Sequence, residues 1–324
     1  MNVTEEMLLE WVRGYQISRV ILTAVELDIF AKVGEGASAA DVAASLGAPE
    51  RPVDRLLNAL ATLGLLSKEE GTLSLTEVSA RYLAPKSPEY MANLRHSAHL
   101  WDAWSGLTEV VKTGTSSNSM EEMTTQRTEA FIAAMQQHSK RSSPDVAAVL
   151  DMEGVGRILD VGGGSGAFTI ALTRKAGPSC TASLFDLPAV TALARNYLAE
   201  AGMSARIDTV DGDYNVDPLP EGYDLVFMSS IVHINSPEQN VALVQKGADA
   251  LNRGGRLVIR EFVINEQRTG PPPVAIFALN MLVNTPGGDT YTASEMSGWM
   301  TQAGLSDIQF VKAGPVASLV IGRK

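Results

Sequence analysis

The stretch Arg157-Ile-Leu-Asp-Val-Gly-Gly-Gly-Ser-Gly166 constrains this chain more than any other. Residues suited to a buried strand run into a cluster of glycines, and a helical pattern follows over residues 167–175. Strand, glycine turn and helix form the unit with which α/β proteins seat an adenine-containing ligand. Glycine lets the backbone turn with positive φ and lets a ligand come in where a Cβ would stand. Two ligand classes fit this turn. Gly162, Gly164 and Ala167 match the G-x-G-x-x-A dinucleotide spacing, which keeps NAD open. Asp160 favours a different ligand, because an acid ahead of the glycines repels a pyrophosphate and attracts the ammonium group of an amino acid. S-adenosylmethionine carries such a group and no phosphate. A ligand-free turn is the third reading, and so many glycines cost more chain entropy than a turn requires.

Beyond the turn, strand patterns alternate with helical ones, as in a parallel sheet. Residues 181–185 end in Asp186-Leu-Pro, 207–210 in Asp211-Gly-Asp-Tyr214, and 224–228 in Ser229-Ser-Ile-Val-His233; 255–264 form a further strand. Each polar group of interest stands at a strand's carboxyl end, where open α/β sheets bind ligands. A helix over 294–303 and two closely spaced strands, 308–312 and 317–321, close the chain. Seven strands ending in an antiparallel pair suit the methyltransferase version of the Rossmann-like fold better than the dehydrogenase version.

The chain before the turn is mainly helical. Over residues 7–30, Leu8, Val12 and Tyr15 make one apolar series and Ile17, Val20, Ile21 and Ala24 another. A helix apolar on two sides is buried on two sides, once in its own domain and once against another subunit. A serine-capped helix over 38–46, a second helix over 51–63 and a hairpin over 65–75 turning at Gly71 make a winged helix-turn-helix. That module raises DNA binding, and its charge argues against it. Between 38 and 84, Arg51, Arg55, Lys68 and Arg81 face Asp41, Glu50, Asp54, Glu69, Glu70 and Glu77. DNA readers gain affinity by neutralising phosphates, so an acidic module points to dimerisation or a substrate lid. The net charge of -11 likewise repels nucleic acid and anionic membrane.

Pro85 and Pro88 break the chain. Helical patterning resumes over 90–112 with Leu94, His96, Leu100, Trp101, Trp104 and Leu107, a polar loop spans 113–119, and a helix over 128–138 carries Phe131, Ile132 and Met135. The expected domains are 1–98, linking helices 99–150 that contribute to a substrate pocket, and 151–324. Cys180 is the single cysteine, which excludes an internal disulfide and a cysteine metal cluster and suits a reducing cytoplasm. No uncharged apolar run reaches membrane-span length, and the acidic residues 1–10 do not read as a secretory signal.

Several further segments fall in order along the chain: Leu159-Asp-Val-Gly-Gly-Gly-Ser-Gly166, Phe185-Asp-Leu-Pro188, Gly212-Asp213, Val232-His233, Met281-Leu-Val-Asn-Thr-Pro-Gly-Gly288, Tyr291-Thr-Ala-Ser-Glu295 and Ala303-Gly-Leu305. With these the chain resembles the small-molecule O-methyltransferases of the caffeic acid and hydroxyindole type. The resemblance covers nearly the whole chain. It implies an α/β, Rossmann-like, seven-stranded class I methyltransferase domain preceded by a mainly α-helical winged-helix dimerisation domain. It also implies S-adenosylmethionine as cofactor, a homodimer, and a small aromatic or conjugated hydroxyl compound as acceptor.

Carried over by position, the resemblance puts Gly162 and Gly164 at the methionine side of the cofactor, where the charge of Asp160 also suits the ligand's ammonium group. Asp186 and Leu187 fall at the ribose, Asp213 at the adenine amino group, and Tyr214 against the ring. Ser229 stands near the adenine, where plant members have lysine. For Asp186 and Asp213 the residues alone also allow helix capping. His233 falls on the family's general base and Glu261 on the acid that orients it, with Glu266 and Asp289 nearby. Trp101, Trp104, Phe131, Met135, Phe277, Asn280, Met281 and Asn284 are candidates for the substrate wall, and no metal is implied. The chain departs from the pattern after the histidine, where His233-Ile-Asn-Ser-Pro-Glu238 lacks the usual tryptophan, and at Thr290, where a second orienting glutamate is usual. These departures leave C- or N-methylation, or a non-methylating role, as alternatives within the family. An NAD-dependent oxidoreductase and a ligand-sensing winged-helix regulator are the alternatives from other classes.

Overall fold

The computed structural model describes residues 2–114, 116, 125–314 and 316–324, and the side chains of all of these except 125–130, 133, 134 and 138. The chain divides into two units, Met1–Asp102 and Ala103–Lys324.

In the first unit, α1 (Glu5–Glu26) is opened by Thr4, whose hydroxyl accepts the Met7 N–H at 3.2 Å. The helix stops short of the expected Phe30. Asp28 turns the chain in the left-handed region (φ 55), a conformation that aspartate tolerates, and a separate α2 (Ile29–Val33) follows. Then come β1 (Ala37–Ser38), α3 (Ala39–Leu46), α4 (Glu50–Thr62), β2 (Leu66–Glu69), β3 (Thr72–Leu75) and α5 (Glu77–Tyr82). Ser38 and Asp41 form a reciprocal capping box at the start of α3. The strands pair antiparallel in the order β1-β3-β2, so the hairpin is the wing. Ile29, Phe30, Leu57, Leu60 and Leu73 fill the core, each side chain of this kind contributing about 1.5–3 kcal/mol when fully buried. Leu8, Trp11, Val12, Tyr15 and Ile17, on the first turns of α1, remain exposed.

The 90–112 pattern is interrupted at Gly106, giving α6 (Asn93–Ser105) and α7 (Leu107–Thr113). Of the polar loop expected over 113–119, residues 115 and 117–119 lie outside the described residues. Helix α8 (Thr125–Val149) continues well past the expected His138 and through Pro144. Proline removes one helical N–H and would ordinarily end the run, yet burial of Val146, Ala147 and Leu150 against the sheet carries the helix on.

The second unit is built on a seven-stranded sheet of β4 (Arg157–Val161), β5 (Thr181–Asp186), β6 (Ile207–Asp211), β7 (Tyr223–Ser229), β8 (Leu251–Phe262), β9 (Ser306–Lys312) and β10 (Ala317–Arg323). Its order is β6-β5-β4-β7-β8-β10-β9, with β6 to β8 parallel and β10 antiparallel to both neighbours. Helices α9 (Ala167–Ala176), α10 (Pro188–Glu200), α11 (Pro237–Ala250), α12 (Pro272–Asn284) and α13 (Ala293–Gln302) complete it. Strands buried on both faces require two cores. One face packs Leu159, Val226 and Ile259 with residues of α11 and α13; the other packs Ile158, Phe227 and Val258 with residues of α8, α9 and α10. The chain runs outward from β4 through β5 to β6 and then returns to place β7 on β4's other side. The strand order therefore reverses at the carboxyl end of β4, where open α/β sheets form their ligand crevice. Among the described residues no helix is long and apolar enough to cross a membrane.

Candidate active site

The glycine turn leaves β4 at that crevice. Gly162 and Gly164 have φ of 66 and 56. A Cβ on Gly162 would stand 2.6 Å from the Ile231 side chain, whereas one on Gly164 would meet no atom within 4 Å. Gly162 is thus required by packing against the β7 loop, and Gly164 borders open space. The Gly162 N–H donates to the Phe185 carbonyl at 2.8 Å, tying the turn to β5.

Asp186, at the end of β5, accepts the Gly164 N–H on Oδ2 and the Leu187 N–H on Oδ1, both at 2.8 Å. Each oxygen keeps a further lone pair for another donor. Desolvation lifts this carboxyl to about 6, against the lowering effect of the two N–H groups. Asp186 therefore fastens the glycine turn rather than capping α10, which starts at Pro188. Leu187 is exposed beside it.

Asp160 departs from the expectation of direct contact with a ligand ammonium. It is 1% exposed, accepts the Thr169 hydroxyl at 2.5 Å, and is pushed up to about 7 by desolvation, with the charge of Asp186 adding to the rise. The carboxyl lies beneath the turn and fastens α9 to β4. At the third strand end, the Asp213 Oδ1 accepts the Asn215 N–H at 2.8 Å, an Asx-type turn. Tyr214 packs against the core and reaches the Asn235 side chain at 3.4 Å; burial pushes its phenol up to about 12.

At the other end of the crevice, a short 3₁₀ turn after β7 (Val232–Ile234) carries His233. Its Nδ1 lies 2.8 Å from Glu261 Oε1, both residues buried, with Glu261 fully enclosed on β8. A carboxylate at Nδ1 selects the tautomer that donates there and leaves Nε2 as an acceptor; among the described residues no hydrogen bond reaches Nε2. The ring stacks near Phe262 (6.4 Å) and meets Phe277 of α12 edge-on (5.0 Å). The turn itself is held by side chains from distant segments. Asn240 donates to the Val232 carbonyl at 2.8 Å, and the Tyr291 hydroxyl donates to the Asn235 carbonyl at 2.6 Å. Gly288 comes so near that a Cβ there would stand 2.3 Å from the His233 carbonyl.

The structure brings His233, Glu261 and Phe277 together. Trp104 donates through Nε1 to Asn280 Oδ1 at 2.9 Å, and Asn284 donates to the carbonyl and side chain of Asn280, so these residues hold one another. Met281 is buried in α12, while Phe131 and Met135 are half-buried on α8. Trp101 belongs to the first unit, its ring beneath the Arg19 guanidinium at 5.4 Å. Glu266 accepts from Ser294 and Asp289 pairs with Arg268, neither with His233. Thr290 is fully buried. Asn235, Asn240 and Phe262 also support the site, and the sequence carries no signal for them, since an asparagine after a histidine marks no more than a loop.

An O-methyltransferase domain model matches residues 105–306, and an O-methyltransferase dimerisation domain model matches residues 9–85. The chain belongs to the O-methyltransferase family. It is 36% identical to the 3-hydroxy-5-methyl-1-naphthoate 3-O-methyltransferase of Streptomyces sahachiroi, over 97% of this chain and 94% of that one. Among solved structures, an O-methyltransferase family protein from Burkholderia thailandensis superposes with a TM-score of 0.89 at 26% identity, covering 100% of this chain and 99% of the other. Human N-acetylserotonin methyltransferase in complex with S-adenosylmethionine superposes at 0.85 and 25% identity, covering 100% and 99%. Membership bears out the fold and the methyltransferase reading. It does not favour the dehydrogenase and regulator alternatives.

Proposed function

We propose that this O-methyltransferase transfers the methyl group of S-adenosylmethionine to a hydroxyl of a small aromatic acceptor, with His233 as the base. The observation that carries the reading is the buried His233–Glu261 pair, 2.8 Å apart, set between two aromatic rings at the carboxyl edge of the sheet. The residues of the crevice suit the cofactor. The open space at Gly164 would admit its amino-acid end, Asp186 retains acceptor capacity that two ribose hydroxyls would use, and Asp213 and Tyr214 would border the adenine. Asp160 acts here as a support for the turn. When bound, S-adenosylmethionine supplies a sulfonium methyl that an oxygen nucleophile can attack in line.

The chain's own contribution is positional and acid–base. Glu261 holds the imidazole by its Nδ1–H, so that Nε2 faces the acceptor hydroxyl and takes its proton as the oxygen attacks. Phe262 and Phe277, packed edge-on to each other at 5.1 Å, would give an aromatic acceptor ring contacts beside that nitrogen, and the hydroxynaphthoate in the name of the Streptomyces sahachiroi relative fits the same chemistry. Holding the reactants in line supplies the other large part of the acceleration. The test is incubation with S-adenosylmethionine and a panel of hydroxylated naphthalenes, indoles and phenols, reading methyl ether formation by mass spectrometry. Methylation only at carbon or nitrogen would overturn the reading. The exposed apolar turns of α1, within the segment matching the dimerisation model, bury themselves against a second copy. Trp11→Glu is expected to shift the sedimenting mass from dimer to monomer.

A further inference from the structure

Arg260, next to Glu261 on β8, points to the opposite face of the sheet and takes no part in the chemistry above. It is 3% exposed. Its Nη1 donates to Ser230 Oγ at 2.7 Å, and its guanidinium lies over the rings of Phe168 (5.1 Å), at the start of α9, and Phe262 (5.8 Å), beside His233. Among the described residues it has no hydrogen-bonded carboxylate, and its Nε is buried without a partner. Ser229, its register partner on β7, also has a buried, unpartnered hydroxyl. Partners across a parallel ladder project to the same face, so two orphan donors lie side by side at the edge where the ligands are placed. The charge of Glu261 acts on the guanidinium without a hydrogen bond to it, so a buried cation keeps donors unsatisfied, which is costly, and an unpaired hydroxyl beside it adds to the cost.

The structure assigns Arg260 and Ser229, the latter in place of the adenine contact expected from the sequence, to a carboxylate-binding subsite of the active centre. A planar guanidinium matches a carboxylate in shape and charge. The carboxylate comes either from the amino-acid tail of the methyl donor or from the acceptor, and the inference rests on the donor-site reading given above.

Calorimetry on the full chain, wild type and Arg260→Gln, separates the sources. S-adenosylhomocysteine is compared with methylthioadenosine, which keeps the nucleoside and sulfur but lacks the amino-acid tail. Hydroxynaphthoate is compared with naphthol. If the donor supplies the carboxylate, Arg260→Gln weakens S-adenosylhomocysteine by ~10-fold or more and leaves methylthioadenosine unchanged. If the acceptor supplies it, both nucleosides bind as before and only hydroxynaphthoate weakens. Equal weakening within both pairs, or no change in any ligand, overturns the subsite. Where Arg260→Gln does not fold, Ser229→Ala is read by the same comparisons. A wild type that binds neither nucleoside sinks the donor site itself, an outcome distinct from the others.

Discussion

At the β4–β5 end of the crevice the groups proposed to meet the cofactor are set by backbone: Gly162 and Gly164 turn with positive φ, and Asp186 is held by the N–H groups of Gly164 and Leu187. At the β7–β8 end they are set by side chains. His233 is oriented by Glu261, twenty-eight residues away, and its turn is held by Asn240 and by Tyr291. The difference suggests a division of labour, in which a backbone cradle binds the feature common to every turnover and a side-chain assembly adapts to the acceptor. It also makes the two ends separable by substitution.

The largest separation is expected from His233→Ala, which should lower kcat by ~10²–10⁴-fold while S-adenosylhomocysteine affinity, measured by calorimetry, stays unchanged. Equal loss of both would show that the ends are one unit.

Asp160→Asn tests the cradle's foundation through stability. The folded carboxyl sits near 7 and an unfolded one near 3.9, so its contribution is fully present below about 3.9 and is lost as the pH rises through about 7. The asparagine variant should lack that decline, on the order of a few kcal/mol between pH 4 and 8 in urea titrations of the ligand-free protein. An identical slope in the variant would place the titration elsewhere.

Asp186→Asn should weaken the nucleoside by ~10- to 100-fold, because an amide offers one acceptor and no charge. Wild-type affinity should fall as the pH drops through about 6, where Asp186 protonates. An affinity that is flat from pH 8 to 5 removes Asp186 from the contact. The smallest effect belongs to Tyr291→Phe, which leaves the Asn235 carbonyl without its donor. It should cost about 1–3 kcal/mol in unfolding and lower kcat without changing nucleoside affinity.

The glycine turn, the strand ends bearing Asp186, Asp213 and His233, and the winged helix are all legible in the sequence, because each depends on local backbone preference and on hydrophobic periods of two or 3.6 residues. Helix ends are less legible. Asp28 breaks α1 through a left-handed turn, and α8 runs through Pro144, since tertiary burial overrides local propensity.

What the sequence alone determined is therefore the order of elements and the edge of the sheet at which the chemistry collects. Only the tertiary structure decided where the charged side chains go. Asp160 turns inward to Thr169 instead of outward to a ligand, and Arg260 meets Ser230 and Phe168 while Glu261, one residue on, meets His233 on the opposite face. Strand alternation fixes that neighbours point apart, but what each one meets depends on segments tens of residues away, which the sheet order alone brings into contact.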